Sequence, residues 1–203
     1  MTRPRRELLE VAAQELADNP AASVADIAVV AGVGRATAWR HLGSREQLLA
    51  ELYARSLTET RDALACTLGD QPLVTPEGLV AVVEALGAIG DRYRALRQLR
   101  PLDERARHEV AAVMRPLRDG VRRGQRAGQL RDDITPELAV SLLSGAVAAA
   151  LDPRAGVADS SRALHDAGRV LADGLRPRRG KARTRFSATD LLSSRLFGGG
   201  RRR

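Results

Sequence analysis

Residues 23–49 read SVADIAVVAGVGRATAWRHLGSREQLL, and this stretch decides the fold class of the chain. The sequence predicts a short helix after Ser23, an interruption at Gly32, and a second short helix that runs as far as His41. Ala28 supplies the small residue that a crossing of two helices needs, and Gly32 supplies a residue that tolerates positive φ in the turn. This is the pattern of a helix-turn-helix.

The second helix of this motif is predicted to expose side chains that can read DNA. Arginine can donate two hydrogen bonds to a guanine edge, and threonine can contact the methyl group of thymine. An indole N–H or an imidazole ring can bind phosphate oxygens and fix the register. The predicted outward residues are Arg35, Thr37, Trp39, Arg40 and His41. A tight helical corner with a solvated basic face would have the same pattern, but the neighbouring helices favour DNA reading.

Helix start signals continue along the rest of the chain. Two of them have a hydroxyl three residues before an acceptor side chain, which is the spacing of a capping box. Two others have a threonine followed by Pro and Glu. The threonine suits the N-cap, the proline suits the first helical position, and the carboxylate of the glutamate suits the positive end of the helix. The predicted N-caps are Ser23, Ser44, Thr75, Thr135 and Asp159. No pair of strands is predicted.

Apolar residues recur at helical spacing between these signals, so the chain is predicted to be all-α. Helices are expected over about 44–69, 76–98 and 103–127, and Pro116 should kink or divide the last of these. The domains are predicted as residues 1–50 for a three-helix helix-turn-helix domain, residues 51–175 for a larger helical domain, and residues 176–203 for a basic, disordered tail.

Charge and composition narrow the function further. The net charge is +8, but residues 176–203 hold ten basic side chains and one acidic one, so the remainder of the chain is nearly neutral. The single cysteine excludes a disulfide scaffold and a zinc site built on paired thiolates. The longest apolar stretch, residues 138–151, is too short to span a membrane, and a cytoplasmic protein is expected.

Catalysis has little support in the sequence. The chain has three histidines, and it lacks a nucleophile elbow, a phosphate-binding glycine loop and an HExxH motif. Its carboxylates alternate with arginines along helix faces, as they do in many exposed helices. We therefore expect no enzyme activity, no cofactor and no metal site.

The first 55 or so residues resemble the DNA-binding domain of TetR-type (tetracycline-repressor family) transcriptional regulators. The resemblance includes an opening helix, Leu8 to Ala17, and the segment SVADIAVVAGVGRATAWRHLGSREQLLAELY that begins at Ser23. The remainder matches that family only in length, helix count and order. By this resemblance the base-reading residues are Arg35, Thr37 and Arg40. The phosphate-binding residues are Ser23, Trp39, His41 and Arg45.

The resemblance also implies that the larger helical domain forms a ligand pocket and a dimer interface. Small residues along the helix after Thr135 would let a second helix approach closely, and the last helix has apolar residues near the a/d spacing of a bundle. The interface candidates are Leu142, Gly145, Ala149, Leu164 and Leu171; a monomeric core remains the alternative. The pocket candidates are Tyr93, Arg97, His108 and Met114; for His108 the sequence favours a satisfied or solvent-facing histidine over a ligand contact.

These features together predict a ligand-responsive regulator, expected to be a repressor, that binds a palindromic double-stranded operator as a homodimer. Its effector would be a small molecule of unknown identity, and no membrane association is expected. The alternative is a helical small-molecule-binding or interaction protein without sequence-specific DNA binding. A DNA binder that depends only on the basic tail also remains open.

Overall fold

The computed structural model describes residues 4–69, 74–99, 103–152 and 159–177, and the regular structure in these ranges is entirely helical. The helices are α1 (Arg5–Asp18), α2 (Val24–Val30), α3 (Arg35–Leu42), α4 (Arg45–Leu68), α5 (Pro76–Arg92), α6 (Leu96–Leu99), α7 (Glu104–Val113), α8 (Arg115–Arg126), α9 (Pro136–Ala150) and α10 (Ser160–Gly174). The all-α prediction is confirmed. Most of the predicted basic tail, residues 178–203, lies outside the described residues.

Each predicted N-cap begins a helix. Ser44 forms both bonds of a capping box, because its N–H donates to Gln47 Oε1 over 2.8 Å and its hydroxyl accepts from the Gln47 N–H over 3.2 Å. Ser23 and Asp26 form the same reciprocal pair at the start of α2. The Thr75 and Thr135 hydroxyls and the Asp159 carboxylate also accept backbone N–H bonds at their helix starts.

One predicted helix is broken where the sequence contains no breaker. The helix expected over 76–98 ends at Arg92, and Tyr93 has φ −105° and ψ 24° before the short α6 begins. The Tyr93 side chain is buried in the core that surrounds α1 and α4, so tertiary packing overrides helical periodicity here. By contrast, the prediction for Pro116 is confirmed, because α7 ends at Val113 and Pro116 lies in the first turn of α8.

Two hydrophobic cores are joined by α4. Its first half contributes Leu52 and Tyr53 to a core with α1, α2 and α3, and its second half contributes Leu64 to a core formed by α5, α8, α9 and α10. Leu57 packs against both cores. The domain boundary predicted after residue 50 therefore falls inside one continuous helix that contributes to both cores.

The second core depends on close approach between α5 and α10. Leu164 is 5% exposed and covers Gly87 so closely that a Cβ at position 87 would lie 2.3 Å from Leu164 Cδ1. Gly168 of α10 similarly faces the backbone of Val80. Within the described ranges, no helix is both long and apolar enough to cross a bilayer.

Candidate nucleic-acid interface and ligand cavity

A single glycine forms the corner between α2 and α3. Gly32 has φ +65°, and its N–H donates to the Val29 carbonyl over 3.0 Å. The Val33 N–H reaches the Ala28 carbonyl over 3.0 Å, and the Ala28 side chain is fully buried. Both residues predicted for the turn, Ala28 and Gly32, thus lie at the corner of the motif.

The helix α3 buries its small apolar residues and exposes its basic and aromatic ones. Ala38 is fully buried and Leu42 is 5% exposed, so these two residues attach α3 to the first core. The predicted DNA-contacting residues occupy the other face. Arg35, Arg40 and Trp39 are exposed, Trp39 over 65% of its surface, and Thr37 and His41 are half-buried.

The two arginines of this face have no carboxylate partner among the described residues within the 4.0 Å of a salt bridge. Their guanidinium groups therefore keep their donors for an external acceptor. Arg35 lies near the start of α2, where hydrogen bonds from the Ser23 backbone and side chain, and then the charge of Arg35, hold the pKa of Asp26 below its usual value. Arg35 thus adds positive charge beside the N-terminus of α2.

The Ser23 hydroxyl already has internal partners. It donates to Asp26 Oδ2 over 2.7 Å and accepts the Asp26 N–H over 3.2 Å. Its role as a phosphate ligand stays a prediction, because a phosphate would have to compete with Asp26 for that hydrogen. The N-terminal N–H groups of α2 carry partial positive charge that also attracts phosphate.

Arg45 holds the loop before α2. Its guanidinium donates to the carbonyls of Pro20 and Ala22, so it fastens the α1–α2 loop to the start of α4. The sequence resemblance suggested only a phosphate contact for this residue. A phosphate role for Arg45 stays a prediction and would be served by its remaining N–H donors.

Arg5 contributes to the motif in a way that the sequence did not predict. Its Nε donates to the His41 carbonyl over 3.1 Å, and its Nη1 pairs with Glu51 over 3.1 Å. Arg5 therefore ties the C-terminal end of α3 to α1 and α4. The basic cluster at the N-terminus was the available signal, but nothing local in the sequence indicates a partner 36 residues away.

A polar network runs from the second half of the molecule to α1. Tyr93 donates to Glu59 Oε1 over 2.9 Å, and Glu59 also pairs with Arg55 over 3.0 Å. Arg55 in turn pairs with Glu10 of α1 over 3.0 Å, and this hydrogen bond holds the pKa of Glu10 below its usual value. The network links the α5–α6 turn to α1, which packs against the helix-turn-helix.

A second ion pair also links the α5–α6 turn to α1. Arg94 follows Tyr93 in the turn and its Nη2 pairs with Asp18, at the end of α1, over 2.6 Å. The turn between α5 and α6 therefore contacts α1 through Arg94 and α4 through Tyr93.

A cavity of about 390 Å³ lies between α4, α5, α7 and α9, behind this turn. Its walls are mainly aliphatic side chains with a few hydroxyl groups. The polar lining residues are Tyr53, Ser56, Thr60, Tyr93 and Ser144. A cavity of this size and composition is typical of a small-molecule site.

Two of the predicted pocket residues line this cavity and one does not. Tyr93 and Met114 are in its wall. His108 does not line this cavity and is exposed on α7 among other charged residues, so a ligand contact for His108 stays a prediction. α7 turns Val110 and Val113 toward the cavity instead, which the sequence did not predict. The side chain of Arg97 lies outside the described residues.

The predicted dimer residues divide between surface and core. Leu142 is 47% exposed, and Gly145 and Ala149 of the same helix are exposed as well. Leu164 is instead buried against Gly87, and Leu171 packs partly against the same core, so little of either side chain is free to meet a second copy; their interface role stays a prediction. On α10 the exposed apolar side chain is Val170, with 72% of its surface accessible.

Two further features bear on metal and thiol chemistry. The described part of the chain contains no group of three or more His, Cys, Asp or Glu side chains arranged to hold a metal ion. Cys66 is a free, exposed thiol on α4.

Known proteins share part of this sequence and most of this fold. No family model matches the sequence. The HTH-type transcriptional repressor LfrR of Mycolicibacterium smegmatis is 48% identical over 50 residues, which are 25% of this chain and 26% of that repressor. The match thus spans about a quarter of the repressor's length.

Solved structures match nearly the whole chain. The TetR-family regulator PfmR from Thermus thermophilus superposes with a TM-score of 0.65 at 24% identity, over 90% of this chain and 100% of that one. The ketosteroid transcriptional regulator KstR2 of Mycobacterium tuberculosis gives a TM-score of 0.66 at 18% identity, over 87% and 96% of the two chains. The fatty acid degradation regulator FadR from Bacillus halodurans gives 0.65 at 20% identity, over 88% and 100%.

These matches agree with the resemblance found in the sequence: a helix-turn-helix followed by a larger helical body around a cavity. The chain therefore has the fold of the TetR family of transcriptional regulators.

Proposed function

We propose that this protein is a dimeric transcriptional regulator that binds a palindromic DNA operator and changes its affinity for that operator when a small molecule enters the cavity. The observation that carries the proposal is the exposed face of α3, where Arg35 and Arg40 have no internal ion-pair partner among the described residues. The major groove of DNA can accommodate an α-helix. A basic helix face that the buried residues of a helix-turn-helix hold in place is suited to that groove.

The residues of α3 suit two different tasks. Arg35, Thr37 and Arg40 reach bases, since a guanidinium can bind guanine O6 and N7 together and a threonine methyl can contact thymine. Trp39 and His41 hold phosphates and keep the helix in register. The exposed indole of Trp39 supports that assignment, because an apolar ring of this size seldom stays in water without a partner.

A homodimer would supply the second reading helix. The exposed side of α9 carries Leu138 and Leu142, each 47% exposed, together with Gly145 and Ala149. Val170 extends this apolar surface on α10. Two copies joined across these helices form a four-helix interface and present their α3 helices to half-sites about 34–36 Å apart, or a multiple of that distance.

The cavity would control DNA binding through the α5–α6 turn. Tyr93 is in the cavity wall and reaches α1 through Glu59, Arg55 and Glu10. Arg94 reaches α1 directly through Asp18. A ligand that displaces Tyr93 changes these contacts, and the two α3 helices then prefer a different spacing.

Selection from a random oligonucleotide pool tests the proposal directly. We expect the selected sequences to contain an inverted repeat, and gel shifts should show stronger binding to it than to a scrambled duplex of the same composition. Equal affinity for both duplexes would instead favour a helical binding protein without operator recognition. Loss of all DNA affinity on removing residues 178–203 would identify a binder that depends only on the basic tail.

A further inference from the structure

The cavity contains no charged side chain among its described lining residues. Aliphatic groups from α4, α5, α7 and α9 make most of its surface. They include Leu57, Leu86, Ile89, Val110, Val113, Val147 and Leu151. A ligand that fills this space therefore has to be largely apolar, because burying an unpaired polar or charged group in such surroundings is costly.

The hydroxyl groups of the cavity have already donated their hydrogens. Ser56 donates to the Tyr53 carbonyl over 2.7 Å, and Thr60 donates to the Ser56 carbonyl over 2.7 Å. Ser144 of α9, which also lines the cavity and is exposed, donates to the Val140 carbonyl over 3.0 Å. A hydroxyl whose hydrogen is engaged offers only its lone pairs, so these three groups present acceptors to a ligand.

The two phenols behave in the same way. Tyr53 donates to the Ala106 carbonyl over 3.1 Å, and Tyr93 donates to Glu59. Burial and then the hydrogen bond to Glu59 raise the pKa of Tyr93 to about 12, so its phenol stays neutral near neutral pH. The described cavity wall thus has hydrogen-bond acceptors and no group that donates to a ligand without first breaking an internal bond.

The nearby charges are balanced within the protein. Glu59 lies behind Tyr93 and pairs with Arg55 over 3.0 Å and with Arg92 over 2.8 Å. It is therefore not a free counter-ion for a cationic ligand. Arg92 and Arg94 are engaged with Glu59 and Asp18, so they are not free cations for an anionic one.

From this pattern we infer that the effector is a neutral, largely apolar molecule that carries a hydrogen-bond donor, such as an alcohol, and that the cavity discriminates against carboxylate and ammonium analogues. The inference rests on the proposed function, since it specifies the ligand of the cavity assigned there. A ligand O–H can donate to the hydroxyl oxygen of Ser56, Thr60 or Ser144 and so gain a hydrogen bond. A carboxylate would instead face the lone pairs of these oxygens, which repel it, and it would also lose its bound water.

A matched series of octyl compounds tests this inference by calorimetry on the full chain. The probes are octan-1-ol, its donor-free isomer 1-methoxyheptane, octanoate and octylammonium. We expect octan-1-ol to bind roughly fivefold more tightly than the ether, which corresponds to one ordinary hydrogen bond. Both ions should bind at least roughly tenfold more weakly than the alcohol, because the described lining residues offer a counter-charge to neither.

Variants locate the donor's partner. Ser56→Ala, Thr60→Val and Ser144→Ala each remove an acceptor from the cavity wall, and the triple variant should reduce the preference for the alcohol over the ether to about twofold or less. Thr58→Val is the matched control, because Thr58 lies on the same helix, makes the same kind of bond to a backbone carbonyl and is exposed outside the cavity. That control should keep the full preference.

Equal or tighter binding of octanoate or octylammonium would overturn the inference, as would equal binding of the alcohol and the ether or no binding of any probe. Operator selection by the same preparation separates this result from the proposed function. A chain that selects an inverted repeat but prefers an ion retains the proposed function and loses the inference. A chain that prefers octan-1-ol but selects no operator has the inferred cavity specificity without that function.

Discussion

The phenol of Tyr93 donates a 2.9 Å hydrogen bond to Glu59 Oε1, and this bond joins the wall of the cavity to the middle of α4. Glu59 also holds Arg55, which reaches Glu10 of α1. Because α4 passes through both hydrophobic cores, the Tyr93–Glu59 pair lies between the cavity and the helix-turn-helix. A change at this pair should therefore affect communication between the two.

Tyr93→Phe should weaken the response to ligand more than DNA binding itself. The ring is retained, so the cavity keeps its shape, but the link to Glu59 is lost. Removing a hydrogen bond to a charged acceptor should lower the free energy of unfolding by about 1–3 kcal/mol. Urea denaturation measures this loss, and gel shifts with and without octan-1-ol measure the response.

Tyr53→Phe is the control for this variant, because its phenol donates to a neutral carbonyl of Ala106. A neutral acceptor makes the expected loss smaller, about 0.5–1.5 kcal/mol. An unchanged ligand response in Tyr93→Phe would contradict the role of the Tyr93–Glu59 bond.

The titration of Tyr93 should be visible at high pH. Its pKa is raised to about 12, first by burial and then by the bond to Glu59, whereas an unfolded tyrosine ionises near 10. The unfolded chain therefore loses this proton first, and the free energy of unfolding should fall as pH rises from about 10 to about 12. Below pH 10 the contribution is fully present.

Phenolate absorbance at 295 nm measures this pKa, since the chain has only two tyrosines. The difference between the wild-type and Tyr93→Phe curves should have its midpoint near pH 12. A midpoint near 10 would mean that the hydroxyl of Tyr93 is open to solvent.

Arg35→Ala should relax base preference at one position of each half-site. Loss of a bidentate contact to guanine costs about 1–3 kcal/mol of discrimination, and affinity for random duplex should change less. Arg105→Ala is the charge-matched control, because Arg105 is exposed on α7 and pairs only locally with Glu109. A uniform loss of affinity over all sequences would reassign Arg35 to a phosphate contact.

Leu142→Glu should abolish the proposed dimer without unfolding the chain. The side chain is 47% exposed in one subunit, and a carboxylate there would be buried against its symmetry mate. Light scattering after gel filtration measures the mass. Val29→Glu, a similar change at an exposed valine of α2, should leave the dimer intact.

Leu164→Ala distinguishes core from interface on α10. Because Leu164 is buried against Gly87, its truncation should lower the free energy of unfolding by about 2–5 kcal/mol and leave the dimer constant of the folded protein little changed. A selective loss of dimerisation with unchanged monomer stability would contradict this assignment.

Deletion of residues 178–203 should make DNA binding less dependent on salt. These residues contain nine basic side chains and one acidic one, and each phosphate contact that they make adds about 0.9 to the log–log salt slope on duplex DNA. Arg176 should be retained, because it pairs with Glu77 over 3.0 Å and with Asp173 over 3.3 Å. An unchanged slope would mean that this segment makes no contact with DNA.

Local interactions made much of this architecture predictable. The capping boxes at Ser23 and Ser44, the division at Pro116 and the turn at Gly32 all depend on residues within a few positions of each other. Hydrogen bonds and backbone preferences over such short distances leave direct signals in the sequence. The order of helices and the exposed arginines of α3 followed from the same kind of signal.

The sequence could not show which apolar helix faces pack into the core of the chain and which stay exposed. Leu142 and Leu164 both occupy apolar stripes, but only Leu164 meets a glycine of another helix. His108 and Tyr93 were both candidate pocket residues, and their positions depend on how α7 and the α5–α6 turn are rotated against α4.

The sequence by itself determined the all-helical composition, the helix starts and the helix-turn-helix motif. The tertiary structure alone decided the partners of Arg5 and Arg45, the network from Tyr93 to Glu10, and the composition of the cavity. Periodicity fixes which residues share a face of one helix. The neighbour that the face meets is set by packing among segments far apart in the chain, where no local spacing records it.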